Sequence, residues 1–284
     1  MPHIAPLDPS LVHAAFLEAF ADYAMDASGV TEAGLLLRMQ KNAVDYIASP
    51  SLYDCDRLVG FTLIGIDEWG GCRTAFDAGT GIVAAFRKQG WAKRMFDHAL
   101  PDLRKRGVER FALEVLQENE PAIKAYRKSG FEITREFRCL IAEPDDVRAV
   151  SPRSDAEIRP IGREDLRRLE ACSDWLPSFE NRFGAVDALS EYVQILGAFV
   201  DGRCVGALAY SPKLNWFLTL VVDPAYRRQR IATALTAHMT TLLPPSVTKL
   251  VVQNVQMSDA GMLRFFDSLG FGHLVDQYEM TRDI

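Results

Sequence analysis

Two features of this chain have the residue types and spacing that chemistry needs. The first is a short basic loop, "RKQGWA" at residues 87–92, between the apolar stretch "GIVAAF" and the helix-like run "KRMFDHAL". A helix starting directly after a strand presents unpaired N–H groups and the positive end of its dipole, which suits a phosphate or pyrophosphate. Gly90 has no side chain, so the backbone can approach such a group closely, and Arg87, Lys88, Lys93 and Arg94 surround it with positive charge. The loop has neither Walker nor G-x-G-x-x-G spacing. The second feature is Glu114 in "RFALEVL". Strand alternation puts Phe111, Leu113 and Val115 on one face and Ala112, Glu114 and Leu116 on the other. A carboxylate in such a strand is costly unless paired or used, and burial raises its pKa toward that of a general base. Asp77, on the adjoining strand, is the second candidate for that role. The five histidines show no metal spacing, and no Ser-His-Asp or Cys-His grouping stands out, so no metal site is expected.

The elements that must hold these residues come in two copies. The loop returns as "RRQRIA" at 227–232, with Arg230 in place of Gly90. Arg87 and Arg227 lie 140 residues apart, as do the last residues of "KSGF" (Phe131) and "SLGF" (Phe271). Gly60 in "RLVGFTL" and Gly206 in "RCVGALA" lie 146 apart, so the first copy has about six extra residues, assigned to "DEWGGCR". "HIAPLDPSLVHAAF" and "EIRPIGREDLRRLE" align Ile4 with Ile158. Four matches in one order are a duplication. Between the copies, "AEPDDVRAVSPRSD" is polar and proline-containing, as a linker is. The expected partition is a first domain over 1–148, a linker over 149–155 and a second domain over 156–284.

Within each copy the pattern predicts an opening strand, a helix (10–24 in the first copy) and a hairpin with strands near 51–53 and 58–66. A strand in "AFDAGTGIVAAF" ends at the loop. A helix bent by Pro101 runs toward Gly107. The strand "RFALEVL", a short helix in "EPAIKAYRKSG" and a last strand in "FEITREFRCLIA" follow. A strand, a crossover helix and another strand imply a parallel pair with a right-handed connection. The fold class is mixed α/β (α+β).

The 284 residues, 48% apolar and 25% charged, suit a globular protein of about two domains. There is no apolar run of about 18 residues and no signal-peptide pattern at the N-terminus, so neither a membrane span nor export is expected. Five scattered cysteines suit a reducing cytoplasm. A net charge of −6 argues against general nucleic-acid binding.

The ordered set of Arg-x-x-Gly-x-Ala after a strand, then Leu-Glu-Val, an Asn, and Ala-x-x-x-Tyr-x-x-x-Gly-Phe resembles the GCN5-related N-acetyltransferases (GNAT superfamily). The match covers about residues 55–140 well and 200–280 weakly, and the duplication resembles the tandem members. The resemblance implies two tandem domains, each a central mixed, mostly antiparallel sheet flanked by helices, with a parallel pair at the cofactor site. The implied cofactor is acetyl-CoA. Arg87, Lys88, Gln89, Gly90, Trp91, Ala92 and Lys93 would surround its pyrophosphate, and Asn119 would contact it. Ile82 and Val83 would lie beside pantetheine, with a backbone N–H near Val83 polarising the thioester carbonyl. Tyr126 stands where the family's general acid lies. Glu114, 12 residues earlier, has the spacing of the base–acid pair in ribosomal-protein alanine acetyltransferases.

Acyl transfer to a primary amine of a small molecule, by direct attack in a ternary complex, is the implied activity. The alternatives are N-terminal α-amino acetylation of a protein and a non-catalytic acyl-CoA sensor. Asp22 and Asp26, in "EAFADYAMD" at 18–26, with Tyr53, Trp69 and Trp91, are weaker candidates for the acceptor side. With the 140-residue offset, Gly90, Glu114, Asn119 and Tyr126 become Arg230, Asn254, Asp259 and Phe266, so the second domain is expected to have lost tight cofactor binding and catalysis. The chain is then a monomer whose two domains mimic a dimer, or a homodimer.

Overall fold

In the computed structural model, which describes residues 1–22, 27–147 and 156–284, the chain forms two compact units, Met1–Thr134 with Glu279–Ile284, and Arg135–Tyr278. Asp26, the end of the helix expected over 10–24 and the expected linker lie outside the described residues.

The first unit opens with the edge strand β1 (His3–Pro6) and the helices α1 (Val12–Ala19) and α2 (Glu32–Lys41), the latter capped by the Thr31 side chain accepting from the Gly34 N–H. Strands β2 (Pro50–Asp54), β3 (Arg57–Trp69) and β4 (Cys72–Ile82) follow as an antiparallel meander. The extra residues of "DEWGGCR" are the end of the β3–β4 hairpin, where Trp69 pairs with Cys72. Helix α3 (Trp91–Lys105) continues through Pro101, β5 (Arg110–Leu116) returns parallel to β4, and α4 (Glu120–Lys128) leads into β6 (Glu132–Ala142). Phe96 of α3, Phe111 of β5 and Phe131 pack with ring centroids 4.8–5.7 Å apart. Burying each such ring contributes roughly 1.5–3 kcal/mol, and this cluster packs α3 and the turn after α4 against β5.

The second unit repeats the plan. It has β7 (Glu157–Pro160), α5 (Arg163–Arg168), α6 (Phe183–Leu189), and the meander β8 (Gln194–Val200), β9 (Arg203–Ser211) and β10 (Trp216–Val222). Helix α7 (Ile231–Thr241), strand β11 (Leu250–Gln256) parallel to β10, helix α8 (Ala260–Ser268) and the beginning of strand β12 (Gly272–Asp283), as far as Tyr278, complete it.

The final strands do not follow sequence order. β6, the last strand of the first copy, pairs antiparallel with β11 of the second, Leu250 opposite Ala142. Residues Glu279–Ile284, the end of the second copy, belong to the first unit, where the Ile284 amide donates to the Glu109 carbonyl at 3.0 Å. Among the described residues no helix is long and apolar enough to cross a membrane, and no cluster of three or more His, Cys, Asp or Glu could hold a metal ion.

Candidate active site

In the first unit the site begins where β4 and β5 part. Their parallel register runs from Thr74–Arg110 to Asp77–Leu113, while β4 continues to Ile82 and β5 to Leu116. The cause is a bulge. Ile64 pairs with Asp77 and Leu63 with Gly79, which leaves Ala78 as an extra residue. A bulge sharpens the local twist and swings a strand away from its neighbour. Beyond it the Val83 amide donates to the Val59 carbonyl at 3.0 Å, so that amide is held inside the sheet. Alternation then turns the Ile82 groups away from β3: its carbonyl accepts from Arg87 Nε at 2.9 Å, and its N–H faces the diverging side.

The loop that follows is held by Arg87. Its guanidinium donates to the Ala19 carbonyl (2.8 Å) and to both carboxylate oxygens of Asp22 (2.6 and 2.7 Å). The side chain expected at a pyrophosphate thus ties the loop to the end of α1, and Asp22, a weaker acceptor-side candidate, is its counter-ion. That hydrogen bond holds the Asp22 carboxyl below the usual carboxylate range. Gln89 bonds the Ala85 carbonyl and the Trp91 indole, Arg94 stacks 4.7 Å over the Trp91 ring, and Lys93 pairs with Asp97. Lys88 and Gly90 have positive φ, 61° and 77°. Gly90 is the N-cap of α3, no side chain caps the helix, and a Cβ there would meet nothing within 4 Å. The first-turn amides of Trp91, Ala92 and Lys93 therefore have no acceptor within the helix, beside open space at Gly90. That is a fit for the pyrophosphate of acetyl-CoA.

Asn119 caps α4, its side-chain oxygen accepting from the Ala122 N–H at 3.2 Å. In the second unit Asp259 caps α8 in the same way, at 2.9 Å. Asn119→Asp is therefore expected to leave stability near wild type, whereas Asn119→Ala should cost about 1 kcal/mol in urea denaturation.

Tyr126 projects from α4, its ring edge-on to Phe131 at 5.7 Å. Its hydroxyl donates to Asp77 Oδ2 at 3.1 Å, so the residue ranked second as base is the one the fold brings to the tyrosine. Asp77 is 8% exposed and also accepts from Thr80 Oγ1 (2.8 Å) and the Gly79 N–H (3.0 Å). Burial raises its pKa above the ordinary carboxylate value, and these three hydrogen bonds oppose the rise. Glu114 is half-buried and follows Leu113, the register partner of Asp77, so the pleat turns it to the opposite face. Of the weaker acceptor-side candidates, the Tyr53 hydroxyl donates to the Pro6 carbonyl and accepts from the Asp8 amide, and Trp69 is buried.

The second unit repeats the geometry without the same residues. Its loop keeps the backbone course, with Arg228 and Arg230 at φ 64° and 61°, so Arg230 takes the left-handed conformation of Gly90. Arg227 repeats Arg87, bonding the Val222 and Cys172 carbonyls and Asp174. A bulge at Leu218 again ends the register, and beside it lies a cavity of about 580 Å³ lined by residues that include Arg228, Arg230, Thr219, Gln253 and Phe266.

The model of the family described as "Acetyltransferase (GNAT) family" matches residues 13–131 and again 161–271. Among solved structures, the fold is similar to a tandem GNAT protein from the clavulanic acid biosynthesis pathway (16% identity, TM-score 0.73, covering 100% of this chain and 98% of that one). It is also similar to a GCN5-related N-acetyltransferase from Sphaerobacter thermophilus (11%, TM-score 0.74, 99% and 95%). A GCN5-related glucosamine N-acetyltransferase region of a fungal multi-domain β-N-acetylglucosaminidase matches at 15% identity and TM-score 0.75; this chain is covered to 99% but spans only 38% of that chain. At such identities these likenesses speak for the fold alone. No curated protein matches the sequence.

Proposed function

This chain belongs to the acetyltransferase (GNAT) family, and we propose that its first unit transfers an acetyl group from acetyl-CoA to a primary amine of a small molecule by direct attack in a ternary complex. The observation that carries this reading is the juxtaposition of an uncapped α3 N-terminus, a bulged and diverging β4, and a half-buried phenol, all in one unit. Bound acetyl-CoA supplies the activated thioester. The amides of Trp91, Ala92 and Lys93 and the Gly90 backbone would hold its pyrophosphate, with Lys88 and Arg94 adding charge. The Ile82 N–H would lie along the pantetheine arm and stabilise negative charge on the acyl oxygen. Glu114 would take the proton from the acceptor ammonium, and Tyr126 Oη would give one to the departing sulfur. N-terminal α-amino acetylation of a protein uses the same residues and differs only in the acceptor.

A second reading concerns the second unit, as a non-catalytic acyl-CoA module, and the cavity beside Arg230 favours it. Thr219 Oγ1 and Gln253 Oε1 are buried there without hydrogen-bond partners among the described residues, and would accept from an amide-bearing ligand. Phe266, where the first unit has Tyr126, has no proton to give.

Calorimetric titration of acetyl-CoA tests both. One site per chain, lost in Gly90→Arg, supports the first unit alone. A second site that survives Gly90→Arg supports the second reading. No binding at all sinks both.

A further inference from the structure

We propose that Asp77 is a positioning residue that acts through Tyr126: hydrogen-bonded to the phenol, it decides where the phenolic proton points, so that the pair, rather than the tyrosine alone, is the proton donor to the departing sulfur. This rests on the acetyl-transfer reading above.

The geometry is a closed polar cluster inside an apolar sheet. Tyr126 Oη lies 3.1 Å from Asp77 Oδ2, Thr80 Oγ1 2.8 Å from the same oxygen, and Thr62 Oγ1 3.1 Å from Thr80 Oγ1. One hydroxyl has one hydrogen, so Thr62 donates to Thr80 when Thr80 donates to Asp77. The titratable group facing Asp77 from α4 is Tyr126. Strand β3 presents Thr62 and Ile64, β4 itself Thr80 and the Gly79 amide, and β5 presents Leu113, with Glu114 next along.

The duplication supplies an internal comparison. The register pairs Thr62–Thr80 and Ile64–Asp77 correspond to Leu208–Leu220 and Tyr210–Phe217 around the same bulge, and Tyr126 corresponds to Phe266. Thr62, Asp77, Thr80 and Tyr126 have thus all become apolar in the second copy, while Val59 and Phe131 remain Val205 and Phe271. A buried polar group stripped of its partners carries the full desolvation penalty, which favours losing the members of such a set together. The copy that keeps it is the copy with Gly90 and Glu114.

The proton logic follows from Oδ2. An ionised Asp77 accepts the Tyr126 hydrogen and holds it within the cluster. A protonated Asp77 donates Oδ2–H to Oη, and the phenolic hydrogen is available to another acceptor. When the carbon–sulfur bond breaks with its electron pair on sulfur, Tyr126 Oη–H protonates the sulfur and Asp77 Oδ2–H replaces that proton. Asp77 is left a carboxylate and regains a proton from solvent after product release. The raised pKa of Asp77 extends the proton-giving form to higher pH.

Asp77→Asn tests this, because an amide Nδ2 permanently donates toward Oη, while Thr80 can accept from it and donate to Thr62. For thiol release from acetyl-CoA with spermidine, glucosamine or an alanine-headed peptide, kcat of the wild type should fall as pH rises through the Asp77 titration. In Asp77→Asn that limb should vanish with KM retained. Thr80→Val, which removes a donor that lowers the Asp77 pKa, should move the limb to higher pH. A second readout needs no turnover: phenolate absorbance, taken as the difference from the matching Tyr126→Phe protein, should show Tyr126 ionising about one pH unit lower in Asp77→Asn than in wild type. An unshifted phenol, or an unmoved limb in an active enzyme, overturns the proposal. Absence of transfer to any amine with the phenol still shifted overturns the acetyl-transfer reading instead.

Discussion

Tyr126→Phe is expected to lower kcat for acetyl transfer by about 10²–10⁴-fold, the usual contribution of a positioned general acid, with acetyl-CoA binding retained. The substitution removes one oxygen and little else. The ring still packs on Phe131, and a phenylalanine at the matching point of α8, Phe266, sits buried against Phe217 and Phe271. Asp77 loses one of three donors, a stability cost of about 1 kcal/mol, too small to unfold the unit. Thiol-release kinetics alongside calorimetry checks both halves of the expectation. A loss of less than tenfold would remove Tyr126 from the chemistry.

Gly270→Ala is expected to be the most damaging small substitution in the second unit. Gly270 ends α8 with φ at 94°, and a Cβ there would stand 2.6 Å from the Asp146 carbonyl oxygen. Left-handed backbone costs a residue with a Cβ roughly 1–2 kcal/mol, and overpacking against a group that cannot rotate away adds about 1–3 kcal/mol. The midpoint of thermal unfolding should fall by roughly ten degrees. Gly90→Ala is the control. Its φ is also positive but its Cβ would meet nothing within 4 Å, so only the backbone part, roughly 1–2 kcal/mol, should appear. Equal losses in the two variants would show that the Asp146 contact relaxes at little cost.

Much of the site was legible in the residues because it follows local rules. A basic loop between a strand and a helix, with glycine at its end, shows in six letters, and the structure has the uncapped helix start there. Asn119 has a role that the resemblance does not name: in the fold its side-chain oxygen caps α4. The replacement of Gly90 by Arg230 reads as a loss of tight cofactor binding, and in the fold the exposed Arg230 takes the same left-handed backbone as Gly90, a conformation that costs a residue with a Cβ roughly 1–2 kcal/mol.

The sequence by itself determined the duplication, the strand and helix periods, the two loops and the family to which the chain belongs, all of which rest on spacings of a few residues or on one repeated offset. Only the tertiary structure decided that β6 pairs with β11, that Arg87 spends its guanidinium on Asp22, 65 residues away, and that Tyr126 meets Asp77 across 49 residues. The physical reason is the same in each case. Alternation tells which way a side chain points but not which distant segment lies beneath it, and at Asp77 the bulge at the next residue, Ala78, also shifts the register of β4 against β3.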